Sequence, residues 1–182
     1  MSLNAQSKHK KAKLKLFEMT LFAMFGTMMF ISKVMMEFLP NVHLLSMFVI
    51  LLTVVYRTKA LVPIYIYVFL NGIYSGFNMW WVPYLYIWTL LWAVTMMLPK
   101  NMTKKAQIII FPVLCCMHGL LYGTLYAPAQ AVMFSLDFEQ TIIWIVAGLP
   151  FDLIHGVSNL IVGTFIYPLS QLLKKLNTQI AK

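Results

Sequence analysis

The chain has 182 residues and a formal net charge of +9; 61% of its residues are hydrophobic and only 10% are charged. A soluble domain is about 45–50% apolar and about 25% charged, so this composition excludes an ordinary water-soluble core and points to lipid as the solvent. The positive charge does not indicate nucleic acid, because it falls in short clusters between apolar runs, as membrane topology signals do.

Six apolar runs are expected as transmembrane helices, since a hydrocarbon core of about 30 Å needs about 20 residues. A lysine-rich segment from Lys8 to Lys15 precedes the first run, Leu16 to Met36. That run has full span length and no obvious cleavage site, so it reads as a retained helix and not a removed signal peptide. The second run, Asn41 to Tyr56, is short. The third, Ala60 to Met79, carries Pro63 in its first turn, and the fourth, Trp81 to Leu98, carries Pro83 near its start. The fifth runs from Gln107 to Tyr126, with a kink expected at Pro112. The last apolar region, Thr141 to Leu173, is too long for one upright span. Thr141 to Leu149 is expected as a surface segment or an extension, with Pro150 opening the embedded part.

The expected fold is therefore an all-α membrane protein, a single domain over 1–182. It divides into a basic tail (1–15), a six-helix bundle (16–173) and a second tail (174–182). Six spans put both termini on one side, and the positive-inside rule makes that side cytoplasmic. On this arrangement Lys8, Lys10, Lys11, Lys13, Lys15, Arg57, Lys59, Lys100, Lys104, Lys105, Lys174, Lys175 and Lys182 all lie inside, and Lys33 is the exception. Glu37, Asp137 and Glu139 fall in outer loops. The expected location is a multi-pass position in a cell membrane, with a prokaryotic plasma membrane as the setting.

Polar residues inside spans are costly and mark sites or helix-helix bonds. Asp152, His155 and Asn159, spaced by three and four, share one helical face. They form either the polar wall of a ligand site open to the outside or an interhelical network. Lys33 and Glu37 are an i, i+4 pair at the outer end of the first helix, and Lys33 is also a candidate ligand contact. His118, Tyr122 and Tyr126 follow at four-residue intervals. Trp80 and Trp81 suit an interfacial belt, whereas Tyr84 and Trp88 point along one face into the bundle and can stack on a flat ligand. Asn78, at the outer end of the third run, completes the binding candidates. Ala23, Gly26 and Thr27 form a small-residue patch suited to close helix approach, within this chain or with a partner. Cys115 and Cys116 are adjacent, have no metal-ligand spacing and read as packing residues; no metal and no cofactor are expected.

These features resemble the substrate-capture subunits (S components) of energy-coupling factor (ECF) vitamin transporters, over nearly the whole chain. The most specific stretch is Gly148-Leu149-Pro150-Phe151-Asp152-Leu153-Ile154-His155-Gly156, similar to the run that opens the sixth helix of riboflavin-binding members. The resemblance implies ligand contact at Asp152 and His155, where riboflavin binders carry Asn and Lys. It also implies docking through Ala23 and Thr27 onto a membrane coupling subunit driven by two ATPases, and a gate formed by Glu37 to His43. Its implied function is capture of a vitamin outside and delivery inward, a non-enzymatic role.

The outer half holds no arginine clamp for a phosphate or several carboxylates, which disfavours folate-like polyanions. Cobalamin, pyridoxine-like rings, thiamine precursors and pantothenate all remain open. Two other functions compete. An intramembrane enzyme would use Asp152 and His155 as acid and base, but no third carboxylate or nucleophile stands at helical spacing. A structural or channel subunit would use them only for helix-helix bonds. No P-loop is present in the sequence, so ATP hydrolysis would have to come from another subunit.

Overall fold

The computed structural model describes the backbone of residues 3–39 and 41–180, and side chains from Leu16 to Leu39 and from Asn41 to Gln179. The side chains of Lys8 to Lys15 and of Lys182, part of the charge pattern above, lie outside that range, as does Pro40. The described residues are all α: α1 (Leu3–Met35), α2 (Leu45–Tyr56), α3 (Leu61–Ser75), α4 (Tyr84–Met97), α5 (Lys104–Leu120), α6 (Tyr122–Phe134), α7 (Phe138–Gly163) and α8 (Ile166–Ile180). Short 3₁₀ turns occupy Arg57–Ala60 and Met79–Trp81. Helices that abut in sequence join into six helical units. Four stretches are long and apolar enough to cross a membrane: Leu16–Met35, Leu45–Ser75, Lys104–Phe134 and Phe138–Gly163.

The Leu45–Ser75 stretch is not one rod. Arg57 ends α2 with φ of 55° and ψ of −123°, and the chain turns back there. His43, just before α2, and Tyr67, within α3, both lie with ring centroids 6.1 Å from that of Trp88. A continuous helix rising 1.5 Å per residue would hold those two residues about 36 Å apart. α2 and α3 are therefore the two arms of a tight reversal. α2 alone is 12 residues long and buried from Leu45 through Thr53.

Helix α1 runs parallel to α3. Glu18 pairs with Lys59, Gly26 sits against Pro63 and Ile66, and Phe30 meets Tyr74, so the contacts advance together along both helices. This is the relation expected of alternate passes in an up-and-down bundle. One end of the bundle collects the basic turns. There Lys59 bonds Glu18, Arg57 donates to the Met96 carbonyl, and Tyr56 of α2 reaches Asn177 of α8.

The longest seam joins α5 and α6 to α7. Pro112 lies opposite Gly163, Leu120 opposite Gly156, and Gly123 opposite Asp152, so partners fall in number as the α5–α6 residues rise. That pattern is antiparallel. Cys115, Gly119, Gly123 and Ala127 recur every fourth residue along it and are all buried. A Cβ on Gly119 would lie 2.8 Å from the His155 carbonyl and 2.9 Å from the Gly156 Cα, so only glycine permits this approach.

Pro112 lies inside α5, and the fifth run, expected as one helix, is interrupted at Leu121, between Gly119 and Gly123, where helix propensity is low. Thr141 to Leu149, expected as a surface segment or an extension, is helical and continuous with the residues after Pro150. An N-terminal capping box fixes the start of α7 at Phe138: Asp137 accepts from the Gln140 amide at 2.8 Å, and the Gln140 side chain accepts from the Asp137 amide at 3.0 Å. The helix then runs through Pro150 to Gly163, and α8 starts separately at Ile166.

The outer surface is apolar. Met28, Phe69, Ile109, Ile143, Phe151 and Ile161 are all exposed, as a lipid-facing surface requires. The polar side chains Ser46, Asn71, His155 and Asn159 are interior.

Candidate functional site

Two polar constellations occupy the interior. The first is mostly internally bonded; within it the Asn159 Oδ1 is buried with no hydrogen-bond partner among the described residues. The break at Leu121 leaves the Gly123 amide at the first turn of α6, where the helix supplies no partner for its leading N–H groups. Water would satisfy such a group at a protein surface, but inside a bilayer the protein must do so. Asp152 of α7 supplies the acceptor: its two carboxylate oxygens lie 3.0 and 3.1 Å from the Gly123 nitrogen. Deeper in, the Asn159 amide donates to the Ser46 hydroxyl and to the Cys115 carbonyl, both at 3.1 Å. The same hydroxyl meets His118 Nδ1 at 3.0 Å. Ser46 thus ties α2 to both α5 and α7.

The second constellation is a cluster of rings drawn from six elements. His43 from the segment before α2 meets His155 of α7 at 4.4 Å between centroids, and Tyr122 of α6 meets His155 at 4.9 Å. Trp88 of α4 lies 5.5 Å from His118, 6.1 Å from Tyr122 and 6.1 Å from Tyr84. Tyr67 of α3 closes the opposite side of Trp88. Asn71 lies one turn beyond Tyr67 on the same helix and is fully buried.

Buried polar atoms are normally bonded. In this cluster many are not: His43 Nδ1, Tyr67 OH, Trp88 Nε1, His118 Nε2 and His155 Nε2 have no hydrogen-bond partner among the described residues, and neither do the two amide atoms of Asn71, one turn along α3 from Tyr67. His155 itself is only 2% exposed. The rings offer flat stacking faces, and the unpaired atoms offer both donors and acceptors. No group of three His, Cys, Asp or Glu side chains among the described residues is placed to hold a metal ion.

The segment carrying His43 closes this cluster. Asn41 has φ of 59°, a left-handed backbone, and its carbonyl accepts from the Ser158 hydroxyl of α7 at 3.2 Å. One hydrogen bond and one ring contact with His155 therefore hold the segment against α7.

Of the residues singled out in the sequence, His118, His155, Tyr122, Tyr84 and Trp88 meet in the cluster. Asp152 and Asn159 share the buried face of α7 with His155, yet both are engaged in helix-helix bonds. Lys33 is ion-paired with Glu37 and lies over the Tyr74 ring at 5.8 Å. Asn78 is exposed in the loop before the second 3₁₀ turn, and its carbonyl accepts from the Trp81 amide at 3.0 Å. Ala23 and Thr27 are exposed on α1, but Gly26 is buried against Pro63 and Ile66 of α3. Gly26 therefore serves packing within the chain, because its missing Cβ is what lets α3 approach.

Sequence reasoning passed over His43 as a binding residue, along with Tyr67, Asn71 and Ser46. For Asn71 the signal was present: an amide inside an apolar run is costly unless it has a purpose. The small-residue repeat at Gly119 and Gly123 was equally readable as a close-packing stripe. No protein-family model, curated protein or solved structure matches this chain.

Proposed function

We propose that this chain is the substrate-capture subunit of an ECF-type vitamin importer, with the ring cluster as its ligand site. The observation that carries this reading is the group of unpartnered buried polar atoms on His43, Tyr67, Asn71, Trp88, His118 and His155. Orphaned polar groups in a lipid-surrounded bundle are unfavourable. A ligand that bonds them recovers that free energy, so the same atoms give affinity and specificity. Among the described residues the cation–ring contacts are Lys33 over Tyr74 and Lys104 over Tyr167, neither of them a cluster ring, and the cluster's faces are aromatic. A neutral or weakly charged heteroaromatic ring fits this chemistry, such as a pyridoxine-like ring or the pyrimidine of a thiamine precursor. Pantothenate, which has no ring to stack, fits it less well.

In this reading the six passes are α1, α2, α3, α4, α5–α6 and α7, and the end bearing Arg57, Lys59 and Lys100 is cytoplasmic. Residues 37–44 open to admit the ligand from outside. The exposed Ala23–Thr27 face of α1 receives the membrane coupling subunit, which two ATPases drive. A purely structural role accounts for Asp152 and Asn159 but gives no purpose to the unpaired atoms of His155 and Asn71.

The test is mass spectrometry of small molecules released from protein purified directly from its host. A ring-containing vitamin near equimolar with the protein, and absent from His155→Phe, supports capture. If wild type and variant release the same molecules, the cluster is not the site.

A further inference from the structure

A cavity lies at the opposite, basic end of the bundle, away from the ring cluster. It encloses about 250 Å³ between α2, α4, α5 and α8, and is lined by Val54, Arg57, Thr95, Lys100, Gln107 and Lys174, among others. Three of its lining residues are cations and none is a carboxylate. Among the described residues the ion pairs are Lys33 with Glu37 and Lys59 with Glu18, so Arg57, Lys100 and Lys174 have no carboxylate partner there.

The wall is built and not merely charged. Arg57 is held in a left-handed backbone conformation, φ 55°, that a bulky residue rarely adopts. Its carbonyl accepts from Trp92 Nε1 at 3.1 Å, and one of its terminal guanidinium nitrogens donates to the Met96 carbonyl at 2.8 Å. Its Nε is buried with no partner. Opposite, the Gln107 amide nitrogen donates to the Met102 carbonyl at 2.8 Å, which leaves the buried Gln107 Oε1 as a free acceptor. Fully buried Phe111 and Thr95 also line the cavity.

We infer that this cavity binds a phosphate group. Guanidinium and ammonium groups arranged without a carboxylate are the usual partners of phosphate oxygens. Arg57 Nε donates to one oxygen while Lys100 and Lys174 close over the others. Gln107 Oε1 accepts from a protonated oxygen or from a hydroxyl next to the ester. Val54, Leu98 and Met102 border the cations, so the apolar part of a phospholipid fits beside its headgroup. The same contacts would also take a soluble phosphate. The inference does not depend on which side of the membrane this end faces, nor on the ligand of the ring cluster.

The experiment presents delipidated protein in neutral detergent with an equimolar mixture of phosphatidylglycerol and phosphatidylcholine. Native mass spectrometry then counts retained lipid, with and without added inorganic phosphate. The comparison variant is Lys100→Gln/Lys174→Gln; both lysines are exposed, and its melting temperature checks folding. Wild type should retain phosphatidylglycerol preferentially, and the double variant should lose about fivefold of that preference for each lysine. Loss without competition by inorganic phosphate identifies a lipid headgroup, and loss with competition identifies a soluble phosphate site. Equal retention of the two lipids by wild type with no effect of inorganic phosphate, or a preference that survives in a folded double variant, overturns the inference.

Discussion

The two polar constellations inside this bundle share α5, α6 and α7, and they differ in how many of their polar atoms are bonded. Along the seam between α5–α6 and α7, Asp152 caps Gly123, and Asn159 bridges Ser46 and Cys115. In the adjoining ring cluster His155, three residues from Asp152, leaves Nε2 buried and unpaired. Satisfied polar groups in a membrane interior hold helices together. Unsatisfied ones weaken the fold and are kept where a function needs them. Substitutions in the two regions should therefore act in opposite ways, on stability in the first and on ligand binding in the second.

The largest effect should come from the glycine stripe. In Gly119→Ala the new methyl meets the His155 carbonyl and the Gly156 backbone, neither of which is the end of a flexible side chain. Overpacking of this kind costs about 1–3 kcal/mol, more when backbone must move. Size-exclusion profiles in detergent should show little monodisperse protein. A variant as stable as wild type would mean that α7 can slide away and that the seam is not a rigid reference for the cluster.

Asp152→Ala should follow. It leaves the Gly123 amide buried without an acceptor, a loss of about 1–3 kcal/mol. Asp152→Asn keeps an acceptor oxygen and should recover much of that. Unfolding titrations in mixed micelles measure both. If Asp152→Ala unfolds like wild type but binds ligand poorly, Asp152 belongs with the cluster and the boundary drawn between the two regions is misplaced.

The sequence makes part of this division legible. The apolar runs locate the helices, and three-and-four spacing puts Asp152, His155 and Asn159 on one buried face. That spacing cannot tell a residue that bonds a neighbouring helix from one that faces a site, because both need the same face. The distinction comes from the partner across the seam, and for Asp152 that partner is a backbone amide freed by the break at Leu121. Backbone groups carry no sequence signature. Pro112 is the visible candidate for a kink and lies within α5, whereas the interruption falls at Leu121, between two glycines packed against α7. His43 was hidden for another reason. It lies outside any helix, so no periodicity aims it, and its contact with His155 exists only because the segment 41–44 folds back over α7.

The smallest effect on stability, and the sharpest contrast, should come from His155→Phe and His43→Phe. Phenylalanine keeps a ring of similar size at each position, so the contacts with Tyr122 and between residues 43 and 155 persist. Each substitution removes both ring nitrogens, one of which is buried without a partner, and replacing an unpartnered atom with carbon is near neutral or stabilising. The change in unfolding free energy should stay within about 1 kcal/mol in either direction. Ligand-induced thermal shifts against a panel of ring-containing vitamins should nevertheless vanish in both variants, because the lost nitrogens are the ones a ligand would bond. A stability loss as large as that of Asp152→Ala would show that the His155 and His43 nitrogens are already satisfied within the folded protein. The contrast between a bonded seam and a waiting cluster would then be gone, and the capture reading would lose the observation that carries it.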